Sequence, residues 1–142
     1  MSLKNVNTAL VTVCAVFVLY LGLSFVLAPE ASTHGVGLPD WTAGNGDGFL
    51  IMKGTREVAM GLVLGVLLTT GHRRALGWAL LMEAVAPLGD MLNVLAHHGP
   101  YAAAFGIHGL TAALIATTGL LVLRETGKPH RAPAPAPTGH SV

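Results

Sequence analysis

Four stretches of this chain are apolar for about twenty residues each, the length an α-helix needs to cross a bilayer. They cover approximately residues 8–28, 49–70, 75–95 and 102–123. The first, Thr8 to Ala28, is too long for a signal-peptide core, and Leu27-Ala28-Pro29-Glu30 is a poor cleavage site, so it reads as a retained transmembrane helix. Pro29 stops it, because proline has no N–H to continue the ladder. The expected fold class is all-α: a four-helix transmembrane bundle in one domain, residues 1–125, followed by a tail over 126–142.

Composition agrees. Of 142 residues, 52% are hydrophobic and only 11% charged, whereas a soluble domain is about 25% charged. The formal net charge of +1 and the lack of a basic stripe interleaved with aromatics argue against a nucleic-acid partner. The single cysteine, Cys14, lies inside the first apolar run and reads as a small buried residue. Lipid is therefore the main partner, and the location a multi-pass cell-membrane one.

The connections are short and polar. Residues 29–48 read as a flexible loop containing Trp41 and the run Gly44-Asn45-Gly46-Asp47-Gly48, which matches neither a phosphate loop nor a calcium loop. Pro87 predicts a kink within the third helix. Residues 132–137 alternate Ala and Pro, which neither builds a helix nor fills a core, so the tail reads as disordered. Lys4, Arg73, Arg74, Arg124, Lys128 and Arg131 all fall on one side of the four spans, while 29–48 and 97–101 carry no Lys or Arg. By the positive-inside rule, both termini and the middle turn are cytoplasmic.

Ionisable residues inside these runs are costly, about 2.5–3.5 kcal/mol each on insertion scales, so they are expected to face one another or a wet cavity. Lys53, Arg56 and Glu57 lie near the start of the second run, Asp90 and Asn93 late in the third, and His108 early in the fourth. At 1.5 Å per residue Arg56, Glu57, Asp90 and His108 sit roughly 8–12 Å from the outer ends of their helices. Tyr20 and Ser24, late in the first run, share that depth. Lys53, Arg56, Glu57 and Met60 also share one helix face by their spacing.

Within this layer, Glu57 and His108 are the acid/base candidates, with Asp90 a third proton-carrying group, since carboxyls respond to burial and histidine titrates near neutrality. Lys53, Arg56, Tyr20, Asn93 and Ser24 are the candidate ligand contacts, with Arg56 and Asp90 expected to pair. Glu83 falls on the Asp90 stripe but about 10 Å deeper, and is expected outside the layer. No His-Glu-x-x-His or paired-cysteine spacing supports a metal, and no cofactor motif is present. Gly61-x-x-x-Gly65 permits close helix packing within the protomer or in a homodimer.

The run Lys53-Gly54-Thr55-Arg56-Glu57-Val58, then Gly61-Leu62 and a later Gly89-Asp90, resembles small bacterial four-helix membrane proteins grouped as a domain of unknown function, similar in outline to DoxX-like membrane proteins. The resemblance spans roughly residues 8–124. It implies a Lys-Gly-x-Arg-Asp/Glu element and a later Asp, here Lys53, Gly54, Arg56, Glu57 and Asp90. It implies a fold and no reaction.

Three functions compete on these residues. One is binding of, or proton-transfer chemistry on, a small lipophilic molecule. In it Glu57 or His108 moves protons, and Lys53 and Arg56 hold an oxyanion. A second is a non-catalytic accessory subunit whose balanced charges only fix helix packing. The third is a small proton-coupled transporter, which the absence of Asp or Glu from the first apolar run disfavours.

Overall fold

The computed structural model describes residues 2–37 and 46–127; Trp41 and the Ala/Pro-rich tail fall outside them. Every regular element among the described residues is helical. Helix α1 (Leu3–Leu27) starts five residues before the apolar run because Ser2 caps it, its hydroxyl accepting from the Asn5 N–H. After Ala28 the chain turns at once into α2 (Pro29–Val36). Pro29 therefore has two roles. It cannot continue α1, and its fixed φ suits the first position of α2. The first part of the expected loop is thus helical, and α2 ends at Gly37 with φ 77°.

Helix α3 (Gly46–Thr69) ends at Gly71, whose φ of 76° is left-handed, and α4 (Arg73–Glu83) follows. The third apolar run breaks into α4 and α5 (Val85–Ala96) at Ala84. This break follows from Pro87, which has no N–H for the Glu83 carbonyl four residues back. Short α6 (Tyr101–Ala103) leads into a π-helical turn (Ala104–Gly109) and then α7 (Leu110–Thr126).

Three helical stretches are long and apolar enough to cross a membrane: Leu3–Leu27, Arg73–Ala96 and Tyr101–Thr126. The chain is a multi-pass membrane protein by that measure. Helix α3 is about as long, 24 residues, but carries Lys53, Arg56 and Glu57. Many large side chains point outward, among them Val13, Val16, Leu62, Val66, Leu110 and Leu114. An apolar exterior of that extent suits lipid as its solvent.

Two glycine crossings set the packing. Gly22 of α1 and Gly54 of α3 meet back to back: a Cβ on Gly22 would lie 2.7 Å from the Val58 nitrogen and 2.8 Å from the Gly54 oxygen. Gly77 of α4 and Gly119 of α7 make the second, where a Cβ on Gly119 would lie 3.0 Å from the Gly77 oxygen. Gly61 packs on Leu19, whereas Gly65 faces open space, so the close-packing pattern runs through Gly22, Gly54 and Gly61 and not Gly61-x-x-x-Gly65. Between the crossings Val11, Cys14, Leu64, Leu76, Leu80, Ile115 and Val122 form the apolar core.

A polar network closes one end of that core. The Arg73 Nη2 lies 2.8 Å from the Glu125 Oε2, and Arg73 Nη1 donates to the Thr8 hydroxyl at 3.1 Å. Asn7, fully buried, donates to the same Glu125 oxygen at 2.8 Å and to the Leu121 carbonyl at 3.2 Å. Helices α1, α4 and α7 are thereby tied together at the end where α1 begins. The candidate site lies toward the other end.

Candidate functional site

On α3, Lys53 and Glu57 stand one turn apart, and their side chains meet with Nζ 3.3 Å from Oε1. The same Nζ donates to Asp90 Oδ2 of α5 at 2.8 Å. Asp90 Oδ2 also faces His108 Nδ1 of the π-helical turn at 3.8 Å, too far for a hydrogen bond but close for electrostatics. Lys53 further lies 6.0 Å from the centre of the Phe25 ring, at the outer limit of a cation–π contact. Helix α3 and the π-helical turn therefore converge on one carboxylate oxygen of α5. The partner of Asp90 is Lys53 and not Arg56, because α3 turns its Lys53–Glu57 face toward α5 and leaves Arg56 exposed.

Glu83 joins this set. Its side chain is buried, 6% exposed, and its polar neighbour is the Glu57 carboxyl. Straight-helix depth placed it a level too deep. Glu57, one turn beyond Lys53 along α3, bridges the difference, with Lys53 reaching the Asp90 level and Glu57 the Glu83 level.

These groups form the wall between two spaces. An inner cavity of about 250 Å³ lies among α1, α3, α5 and the fourth apolar segment. Its apolar lining includes Phe17, Val18, Leu21, Phe25, Ile107 and Ile115, and its polar lining includes Ser24, Ser32, His108 and Thr111. A wider groove of about 530 Å³ between α3 and α5 is lined by Phe49, Met52, Met60, Val85, Arg56 and Asn93, among others. Lys53, Glu57, Glu83 and Asp90 line both.

The other expected contacts separate. Ser24 lines the inner cavity, its hydroxyl donating to the Tyr20 carbonyl at 2.8 Å. Arg56 and Asn93 are exposed and line the groove alone. The Tyr20 side chain is 65% exposed and lines neither space.

The π-helical turn around His108 was not visible in the sequence. Such turns insert one residue into a helix, re-aim the side chains and recur at functional sites. Here the turn holds His108 on the cavity wall beside Thr111, whose hydroxyl donates to the Ile107 carbonyl at 2.7 Å.

Residues 15–122, which contain the whole cluster, match the family described as Domain of unknown function (DUF4267). The chain belongs to this family. No curated protein and no solved structure matches the chain. The match to DUF4267 runs from Ala15 of α1 to Val122 of α7, so the cavity and its ionisable wall fall within the family's domain.

Proposed function

We propose that this DUF4267 protein binds a small lipophilic molecule in the inner cavity, with Glu57, Asp90 and His108 placed for proton transfer to or from it. The observation that carries this reading is the two-sided lining of the cavity. Hydrocarbon from α1 and the fourth apolar segment faces five ionisable side chains from α3, α4, α5 and the π-helical turn. Ligand sites combine a mostly apolar wall with a few convergent polar groups in this way. A dry cavity of about 150 Å³ already holds benzene, so about 250 Å³ admits a ring with a short arm.

In this reading α3 is a fourth membrane span, its charges tolerated because they face α5 and the cavity. Both termini and the α3–α4 turn are cytoplasmic, in a cell membrane, which gives the four-helix arrangement outlined by DoxX-like proteins. Proton transfer needs no oxidant or cofactor: a carboxylate takes the proton of an acidic X–H bond, and a neighbouring group returns one elsewhere on the molecule.

Binding of 2-phenylethanol to the protein in lipid nanodiscs, with empty nanodiscs subtracted, tests the site. Saturable binding is expected, and Leu21→Trp, which fills the cavity from α1, should abolish it. Equal binding by a folded L21W variant refutes the assignment, as does failure of the alcohol and of its amine and carboxylate analogues alike to bind the native protein.

A further inference from the structure

The charges on the cavity wall do not balance. Three carboxyl groups, of Glu57, Glu83 and Asp90, line it with one ammonium, of Lys53, and one imidazole, of His108. Lys53 is committed to Asp90 at 2.8 Å and Glu57 at 3.3 Å. Among the described residues no basic side chain lies within ion-pair distance of Glu83, and Lys53 acts on it only from farther off, although the residue is 6% exposed and lines the cavity. Its neighbour is a second carboxyl. Arg56, the other cation of α3, lines only the outer groove.

Resting on the binding function proposed above, we infer that the cavity selects a protonated lipophilic amine over the neutral or acidic molecule of the same shape. A buried carboxyl pair is compensated either by a shared proton or by a cation. Lys53 reaches this pair only through Glu57, at 3.3 Å, and is shared with Asp90, so a ligand ammonium placed between Glu57 and Glu83 supplies the second cation that three carboxyls call for. Its hydrocarbon part then meets Val18, Leu21 and Ile115, and the Phe25 ring, already near one ammonium, offers a cation–π face to a second. An anionic head finds the opposite. The single ammonium it would need is bonded to two carboxylates, and Glu83 repels it. This replaces the oxyanion role that the residues of α3 suggest when they are counted without geometry.

Three probes with one ring and a two-carbon arm decide the matter: 2-phenylethylamine, 2-phenylethanol and 3-phenylpropionate. Each is titrated into the full-length protein in nanodiscs at pH 7, with binding to empty nanodiscs subtracted. The amine should bind at least about tenfold more tightly than the alcohol, the scale of one close charge pair in a partly screened site, and the carboxylate should bind more weakly than both. Glu83→Gln, which keeps the shape and removes the charge, should bring the amine-to-alcohol ratio close to one, and Glu57→Gln serves the same comparison should the first variant not fold. Alcohol binding equal to or tighter than amine binding overturns the inference and leaves the cavity as a ligand site. An amine preference that survives both variants also overturns it, because another group then supplies the selectivity. Failure of all three probes refutes the binding function itself.

Discussion

Replacing Arg73 by Met should destabilise the protein by about 2–3 kcal/mol, and replacing Glu125 by Leu in the same chain should recover most of that loss. The Arg73 and Glu125 side chains are 14% and 17% exposed and meet at 2.8 Å. Breaking a fully buried pair costs about 3–5 kcal/mol, because the remaining charge is stranded. Two features reduce that figure here. Water reaches part of both groups, and the Asn7 amide still donates to the Glu125 oxygen at 2.8 Å. Loss of the bond to the Thr8 hydroxyl adds about 1 kcal/mol. By the scaling of domains of this length, a loss of 2–3 kcal/mol lowers the midpoint of thermal unfolding by roughly 6–10 °C. Cys14 provides the assay. It is the chain's one cysteine and is 2% exposed, so a fluorogenic maleimide labels it only as the bundle opens. Removing both charges leaves neither stranded, and the double variant should unfold within a few degrees of the native protein. If R73M unfolds at the native temperature, or if the double variant loses the sum of the two single losses, the pair is not the unit described here.

The same assay reads the helix crossings. Gly22→Ala should cost more than about 3 kcal/mol or prevent folding, since its Cβ would press on the backbone of α3 and no side chain can swing away. Gly65→Ala has open space around its Cβ and should be neutral, or stabilising by up to about 1 kcal/mol through helix propensity. Equal losses at both positions would contradict the crossing. Lys53→Met should cost only about 1 kcal/mol, because Lys53 and Asp90 are each about a third exposed, and Lys53→Met with Asp90→Asn should be no less stable than Lys53→Met alone; a further loss in the double variant would show Asp90 to be held by something other than Lys53. A green fluorescent protein fused after Val142 should be fluorescent in bacteria, as a cytoplasmic C-terminus requires, and a dark but full-length fusion reverses the topology.

The sequence was most informative where length and cost decide. Apolar runs set three membrane-crossing stretches, Pro29 and Pro87 marked the two breaks, and the cost of charge in hydrocarbon brought Lys53, Glu57, Asp90 and His108 to one place. Which member of a charged stripe turns inward was not legible. Arg56 shares the stripe with Lys53 and Glu57, yet a helix stripe is about a third of the circumference wide, and the Gly22–Gly54 contact fixes the rotation of α3 so that Arg56 is left outside. That contact depends on two residues 32 positions apart with no side chains to pattern. Glu83 was lost for a related reason, since depth counted along one helix ignores the reach of Lys53 and Glu57 from another. The π-helical turn has no spacing signature at all, because it changes the period that spacing arguments assume. Charge balance is the property most altered by these rotations. With Arg56 inside and Glu83 outside, the set is neutral and needs nothing; with the two exchanged, three carboxyls face one ammonium across a cavity. The rotation of α3, which leaves Arg56 outside, and the reach of Glu57 to the level of Glu83 together decide whether the polar layer is balanced or rich in carboxyls.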